Sequence, residues 1–570
     1  MKLFTHFQQT LLAGLIVIGT SEVIAADAGS LDQALKKQIQ IENKEAPAES
    51  LLKKNAPKPS EPSQSDVLID VKGFNVKGMS FITNDEVQRA LSSFTNASLT
   101  LKQINEAANV IIDLYKKKGR IAQAVVPPQQ IKDGIVEIKV IEGKVGSIIV
   151  EPAFEQDPPR LSKKVVKKFV SHANAEGQLI NLDGLERSIS LINEIPGVNA
   201  EVSLEAGQDD GTTNILMKID ELSRVRGSFD ISNQGSASTG YAQAMANISL
   251  NDLYGIGDSG NINILKSEGS EFAQGRYFLP VGANGLRLGL GASAMTYDTL
   301  PRFSSTLSNG KSSTFGVYAT YALQRSSRSN KTLSVNIESR NFINYVEGAE
   351  ISKYNIKSAT LALQSNQFIG NAIWSWSLSG VGGDLSIDNI EQLLSDVEPK
   401  TNGRYAKISF YSLLSKPLPL SKTNLMVTVN GQLATKNLNS AEQIYLGGPF
   451  GVRAYPVAQG GGSEGMTVSA EINHIFENNL ELGAFVDAAL IKQFKDTYLN
   501  WQGLTRAGNN YAVYAAGLDA KYRFKKKVEI SGTLAVPLKD NPLFNSSGNE
   551  LNVDNRNRDV QLWLKSSYLF

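Results

Sequence analysis

The chain has no cysteine among its 570 residues and only three histidines, His6, His172 and His474. Without cysteine there are no disulfides, no thiolate chemistry and no cysteine-ligated zinc. The histidines are too scattered for a metal cluster or a nucleophile–base pair. Net charge is only +1, which gives no bulk electrostatic route to nucleic acid. Gly255-Ile-Gly257 has no P-loop lysine around it and reads as turn material. Beyond the extreme N-terminus no stretch approaches eighteen consecutive apolar residues, which excludes helical membrane spans. No constellation of acid, base and nucleophile emerges, so neither enzymatic activity nor a cofactor is expected.

What is present begins with an export signal. Lys2, the apolar run Leu11 to Ile18 and the end Val23-Ile24-Ala25 form the three-part pattern of a cleaved secretory peptide, residues 1–25. In region 26–54, Leu31, Ala34, Leu35, Ile39 and Ile41 make one apolar stripe, with Ser30 and Gln33 as a candidate helix cap. The proline-rich linker 55–65 is too polar to pack and reads as a semi-rigid tether.

Two small α/β units follow, at 66–143 and 144–222. In the first, Thr83 to Glu86 is a capping box, and a second helix starts at Thr100 with Gln103 three residues on. Gly119 stops that helix, Pro127-Pro128-Gln129-Gln130 separates two strands, and Asp133-Gly134 is a turn. The second unit repeats the strand–helix–helix–strand–strand order, which predicts an internal duplication. Each unit would expose sheet edges able to accept an extended chain.

From about 223 to 570 the pattern changes to period two. Leu286, Leu288, Leu290, Ala292 and Ala294 alternate with small or polar residues, as do Phe315, Val317, Ala319, Tyr321 and Leu323. Sixteen such segments can be counted: 225–233, 239–250, 259–268, 272–280, 285–297, 313–324, 331–341, 352–364, 371–380, 403–414, 424–435, 465–475, 479–489, 511–524, 527–537 and 559–570. Most reach the roughly 9–11 residues that a tilted strand needs to cross a bilayer. Short links alternate with longer ones, of which 298–312, 381–402, 436–464, 490–510 and 538–558 are the longest. Alternating short turns and long loops predict an antiparallel sixteen-stranded outer-membrane barrel, closed because lipid satisfies no backbone polar group. Trp374 and Trp376 share a face and fit a lipid-interface anchor near the turn at Gly370-Asn371.

Two motifs carry a family resemblance. The stretch Val126 to Gly143, with Pro127, Pro128, Gln129, Gly134, Glu142 and Gly143, resembles the hallmark of a first periplasmic POTRA domain. Leu446 to Pro456, containing Val452-Arg453-Ala454-Tyr455, is similar to the sixth-loop signature of the barrel-assembly and translocation superfamily, and terminal Phe570 matches the signal read by the barrel-assembly machinery. The chain thus resembles the outer-membrane transporters of two-partner secretion. The resemblance implies two POTRA domains before the barrel and an N-terminal helix plugging its lumen. It implies a secreted exoprotein docked through its N-terminal secretion domain, and contacts with assembly machinery, periplasmic chaperones, lipid and lipopolysaccharide, but no nucleic acid. Cargo could be a haemolysin, adhesin, haem-scavenging protein or contact-dependent inhibition toxin, the last favoured on general resemblance. The alternative is an assembly or insertion factor of the same superfamily.

In relatives the loop arginine pairs with an aspartate on an inward-facing strand. Here Leu480, Leu482, Ala484 and Val486 take the lipid face, so Phe485 and Asp487 face inward by period alone. Asp487 is the expected partner of Arg453, and Glu471 on the preceding strand is a second candidate. Ala454 stands where the family has glycine. If that position needed positive φ, alanine would cost about 1 kcal/mol or more.

Overall fold

The computed structural model describes residues 27–42, 68–154, 158–503, 506, 508–525, 527–545 and 547–570. The signal segment 1–25 and the linker 55–65 lie outside these residues, as does the side chain of Ile41.

Helix α1 spans Ala28–Glu42. Its cap is not Ser30 but Asp27, whose carboxylate accepts from the Ser30 N–H at 2.8 Å while its carbonyl accepts from Leu31 N–H at 3.0 Å. The aspartate side chain reaches the third helical N–H from one residue before the helix, so the first turn starts earlier than the Ser30 pattern indicates.

The first α/β unit runs β1 Leu68–Val71, β2 Gly73–Lys77, α2 Asn84–Ala90, β3 Ala97–Thr100, α3 Leu101–Lys117, β4 Ala122–Val125 and β5 Ile135–Glu142. Both helices open on complete capping boxes, Thr83 with Glu86 and Thr100 with Gln103. Helix α3 buries Ile104, Ala107, Ala108, Ile111 and Tyr115 against Val136, Ile138 and Val140 of β5. The second unit runs β6 Lys144–Pro152, α4 Lys163–Ser171, α5 Leu182–Asn193, β7 Val198–Ala206 and β8 Thr212–Glu221. Sheets β2-β5-β4 and β6-β8-β7 share one topology: the last strand lies between the first, parallel to it, and the second, antiparallel. That common order is the duplication, carried by hydrophobic pattern where side-chain identity has diverged.

The remaining chain forms the barrel. Its strands are β9 Val225–Ser232, β10 Gln243–Asn251, β11 Ser259–Ser267, β12 Ser270–Val281, β13 Leu286–Asp298, β14 Ser308–Arg325, β15 Ser329–Val346, β16 Ala349–Ile369, β17 Ala372–Ile387, β18 Gly403–Pro417 and β19 Thr423–Ala434. A two-residue ribbon, β20 Ile444–Tyr445 with β21 Gly461–Gly462, lies inside the next loop. The barrel resumes with β22 Glu464–Ile475, β23 Leu480–Lys492, β24 Asn510–Phe524, β25 Val528–Pro537 and β26 Gln561–Leu569. Sixteen strands pair with their neighbours and β26 pairs antiparallel with β9, so the sheet is closed. Leu288, Leu290, Phe315, Val317, Leu482 and Val486 point outward, while Met295, Tyr318 and Asp487 are buried within.

The two expected loops that shorten most do so because β14 to β17 run 16 to 21 residues each. The loop after β13 is 299–307, and the loop after β17 is 388–402, which holds the short helix α6 Ile390–Ser395. The polar segment Ser308 to Ser312 pairs with Phe342 to Val346 without apolar alternation. Beyond the bilayer a strand needs only its ladder of hydrogen bonds, so hydropathy no longer marks its end.

The second α/β unit is seated on the barrel's short-turn end. Arg187 of α5 donates to the carbonyls of Asn284 at 2.8 Å and of Ala322, and Arg325 pairs with Glu194. The Ser327 N–H donates to Glu186 at 2.6 Å, and Leu191 and Ile195 share a core with Ala283 and Ala322.

Candidate functional site: the lumen anchor of loop 435–463

The loop between β19 and β22 folds back on itself before it reaches the barrel wall. The Val452 N–H donates to Leu446 O at 2.7 Å, Gly448 N–H to Tyr455 O at 2.9 Å, and Tyr455 N–H to Val452 O at 3.1 Å. A Cβ at Gly451 would collide with the Leu446 carbonyl, so this crossing needs glycine. Val452, Ala454 and Tyr455 pack with Leu446, Phe485 and Ala515 as a small buried core. Ala454 is not among the residues with positive φ, so it carries no left-handed strain; that conformation falls at Ala458 and Gly448 instead.

This compact tip projects Arg453 onto β22 and β23. Its Nε and Nη2 donate to the two oxygens of Asp487 at 3.0 and 2.9 Å, and its backbone N–H donates to the same carboxylate at 3.0 Å. Nη1 reaches Glu471 at 2.8 Å and Nη2 also reaches Ser469 at 3.0 Å. The guanidinium carbon sits 3.2 Å from the Phe485 ring centroid. Asp487 is only 1% exposed. Only arginine offers this planar fork to two acids while stacking on a ring, so lysine could not reproduce it. Glu471 and Asp487 are therefore simultaneous partners, not alternatives.

Residues that the sequence reading did not single out complete the anchor. Ser469 shares the lumen face with Glu471 two residues on, and period two alone could have found it. The Trp563 indole N–H of β26 donates to Arg453 O at 2.8 Å, and Tyr455 OH donates to Lys539 O at 2.7 Å; no local pattern signals either contact. At the base of the loop Glu442 pairs with Arg340 of β15 and, at 2.7 Å, with Lys407 of β18. The same turn meets α1: Ser440 Oγ donates to Asp27 at 2.6 Å and Gln33 donates to Ala441 O.

The POTRA signature lies in a different part of the molecule and organises its own unit. Pro127 and Pro128 lack the N–H groups that would extend β4, and the Gln129 side chain takes over, accepting from Glu137 N–H at 2.7 Å and donating to Glu137 O at 2.8 Å. Gly134 has φ of 75° and its carbonyl accepts from Lys72 N–H at 2.7 Å. Glu142 is buried and accepts from Ser80 N–H and Phe81 N–H, each at 2.8 Å, from Tyr115 OH at 2.5 Å, and from Ser80 Oγ. Burial pushes its carboxyl pKa up, but the hydrogen bonds outweigh burial and hold it below the usual carboxylate range. Gly143 joins the two units, its N–H bonded to Ile121 O and its carbonyl to Ile180 N–H. Phe570 closes the barrel, exchanging backbone hydrogen bonds of 3.0 Å with Gly227.

A closed sixteen-stranded barrel with a lumen-anchored loop, preceded by periplasmic POTRA domains, defines a polypeptide transporter of the outer membrane. Comparison with known proteins narrows the class. Residues 211–509 match the haemolysin secretion/activation protein ShlB/FhaC/HecB profile, and residues 69–143 match the ShlB-type POTRA domain. The chain belongs to this family: it is a two-partner secretion transporter that exports a large partner exoprotein. It is 26% identical over 528 residues to a heme/hemopexin transporter protein HuxB of Haemophilus influenzae, covering 90% of this chain and 92% of the relative. It is 22% identical over 402 residues to the outer membrane transporter CdiB of Dickeya dadantii, covering 68% and 69%. The solved structure of CdiB from Escherichia coli shares the fold with a TM-score of 0.74 at 18% identity, over 96% of this chain and all of that one.

Proposed function

We propose that this transporter rests with its pore closed by helix α1 and loop 435–463, and opens when its unfolded cargo engages the periplasmic domains. The observation that supports this reading is the helix's place among lumen side chains. Leu31, Leu35 and Ile39 of α1 pack with Phe272, Met295 and Phe342 from the barrel wall, and Ala28 N–H donates to Asn344 at 2.9 Å. The α1 residues that bond the Glu442 turn would make helix and loop a joint barrier. Arg453, held by Asp487, Glu471 and Phe485, would fix the transport-competent position of the tip.

In this reading the mature chain divides into the helix region 26–54, the linker 55–65, POTRA units 66–143 and 144–222, and the barrel 223–570. The POTRA units receive the exoprotein's N-terminal secretion domain at an open strand edge, and passenger folding outside drives export. Periplasmic chaperones and barrel-assembly machinery reading Phe570 serve biogenesis, and lipopolysaccharide meets the outer rim. An inhibition toxin is our first cargo class, in line with the CdiB relatives. The heme/hemopexin name carried by a relative aligned over nine tenths of the chain favours a haem-scavenging exoprotein as the second reading. Deleting residues 27–42 tests the closed state: single-channel conductance in planar bilayers should rise while the barrel stays folded. Unchanged conductance would refute the plug.

A further inference from the structure

The barrel is joined least extensively where its first and last strands meet. The paired strand residues of β26 and β9 number five, Lys565–Ser232 to Leu569–Ser228, with Phe570–Gly227 continuing the ladder at the chain end, whereas β25 and β26 share eight. Above Ser232 one backbone bond remains, from Asn233 N–H to Leu564 O at 3.1 Å, and beyond it the upper part of β26 would present an unpaired edge. One side chain takes the place of the missing strand. Asn233 Nδ2 donates to Leu562 O at 2.9 Å, and Leu564 N–H donates to Asn233 Oδ1 at 2.7 Å. A carboxamide carries the same donor and acceptor as a peptide unit, so it can continue a ladder for one step.

Between those two lipid-facing leucines sits Trp563, turned into the lumen and 2% exposed. Its indole N–H holds the carbonyl of Arg453, the same residue whose side chain and N–H are fixed on Asp487. A continuous series of hydrogen bonds therefore runs from β23 through the loop tip to β26 and on to the end of β9.

We propose that Trp563 is a positioning residue that couples the loop-tip anchor to closure of the β9–β26 seam, with Asn233 as the clasp on the far side. Release of the tip from Asp487 frees the upper end of β26, so the seam loosens in step with the loop and the transport-competent barrel is lost. The coupling rests on the proposed role of the loop in gating, but it is a statement about two amides and can be read without cargo. Arg453 N–H reports the anchor through its bond to Asp487, and Leu564 N–H reports the seam through its bond to Asn233.

Hydrogen exchange by mass spectrometry on the full chain in lipid nanodiscs tests this. Asp487→Asn should speed exchange at Arg453 and also, by about fivefold, in the segment Leu562 to Leu564, the factor expected for one net hydrogen bond. In a Trp563→Phe background, which keeps an aromatic ring and removes the N–H, Asp487→Asn should speed exchange at Arg453 alone. Asn233→Ala should open Leu564 and, only while Trp563 is present, loosen Arg453. An Asp487→Asn protein with fast exchange at Arg453 and unchanged exchange at Leu564 would overturn the coupling. So would Trp563→Phe raising exchange evenly along β25 and β26, which would mark the indole as mere packing. Loss of coupling with normal export would sink the link to gating and leave the transporter assignment standing.

Discussion

Replacing Arg453 by alanine is the sharpest perturbation of the loop anchor. The substitution removes the two side-chain hydrogen bonds to Asp487, leaving the backbone one, and also the bonds to Glu471 and Ser469. It strands two carboxylates, one of them fully buried. Removing one partner of a buried pair costs about 3–5 kcal/mol, because the survivor keeps its desolvation without its counter-charge. Applied to the equilibrium between docked and released loop, that is a shift of about 10²- to 10⁴-fold. The barrel itself should insert normally, since the lipid-facing residues and Phe570 are untouched. Export of the partner exoprotein, measured in culture supernatant at equal membrane abundance of transporter, should fall sharply. Asp487→Ala should do nearly the same, and the double alanine variant should be little worse than either single one, because both remove one interaction. Arg453→Lys should rescue only weakly, keeping charge but losing the fork and the ring stack. Normal export by Arg453→Ala would refute the reasoning, and fully additive losses would show that the two residues act apart.

The POTRA signature can be tested at Glu142 and at Gln129. Glu142→Gln puts an amide donor among four donors, so the segment 78–82 should lose about 1–3 kcal/mol of local protection in hydrogen exchange on the full chain; unchanged protection would remove Glu142 as its organiser. Because the folded pKa of Glu142 is depressed, its contribution is full above the unfolded carboxyl pKa and is lost as pH falls through the lower folded value, so acidification should loosen 78–82 in the native chain and not in Glu142→Gln. Gln129→Ala should expose the Glu137 amide, costing about 1–3 kcal/mol for two hydrogen bonds. Preserved exchange protection at Glu137 would mean that β4 can extend without the glutamine.

Much of this molecule is written locally. Capping boxes at Thr83 and Thr100 depend on residues three apart, and sixteen lipid-facing stripes depend only on residues two apart, so a linear reading reaches them. The same parity put Asp487 and Phe485 inside before any fold was known. It failed at strand ends outside the bilayer, as at Ser308 to Ser312, where pairing continues without hydropathy to mark it. It also misplaced the cap of α1, where Asp27 caps the Ser30 amide and Ser30 Oγ donates back to the Asp27 carbonyl.

What the tertiary structure alone decided is which inward residues meet. Trp563 lies 110 residues from Arg453, and Asn233 lies 331 residues from Leu564. Period two gives each a face but no height on the barrel wall, and height depends on the register of every strand between them. The pairing of Glu442 with Arg340 and Lys407 is of the same kind, two strands and the loop contributing to one buried cluster only after the sheet has closed. Local chemistry sets the direction in which a side chain points; closure of the sheet sets what it finds there.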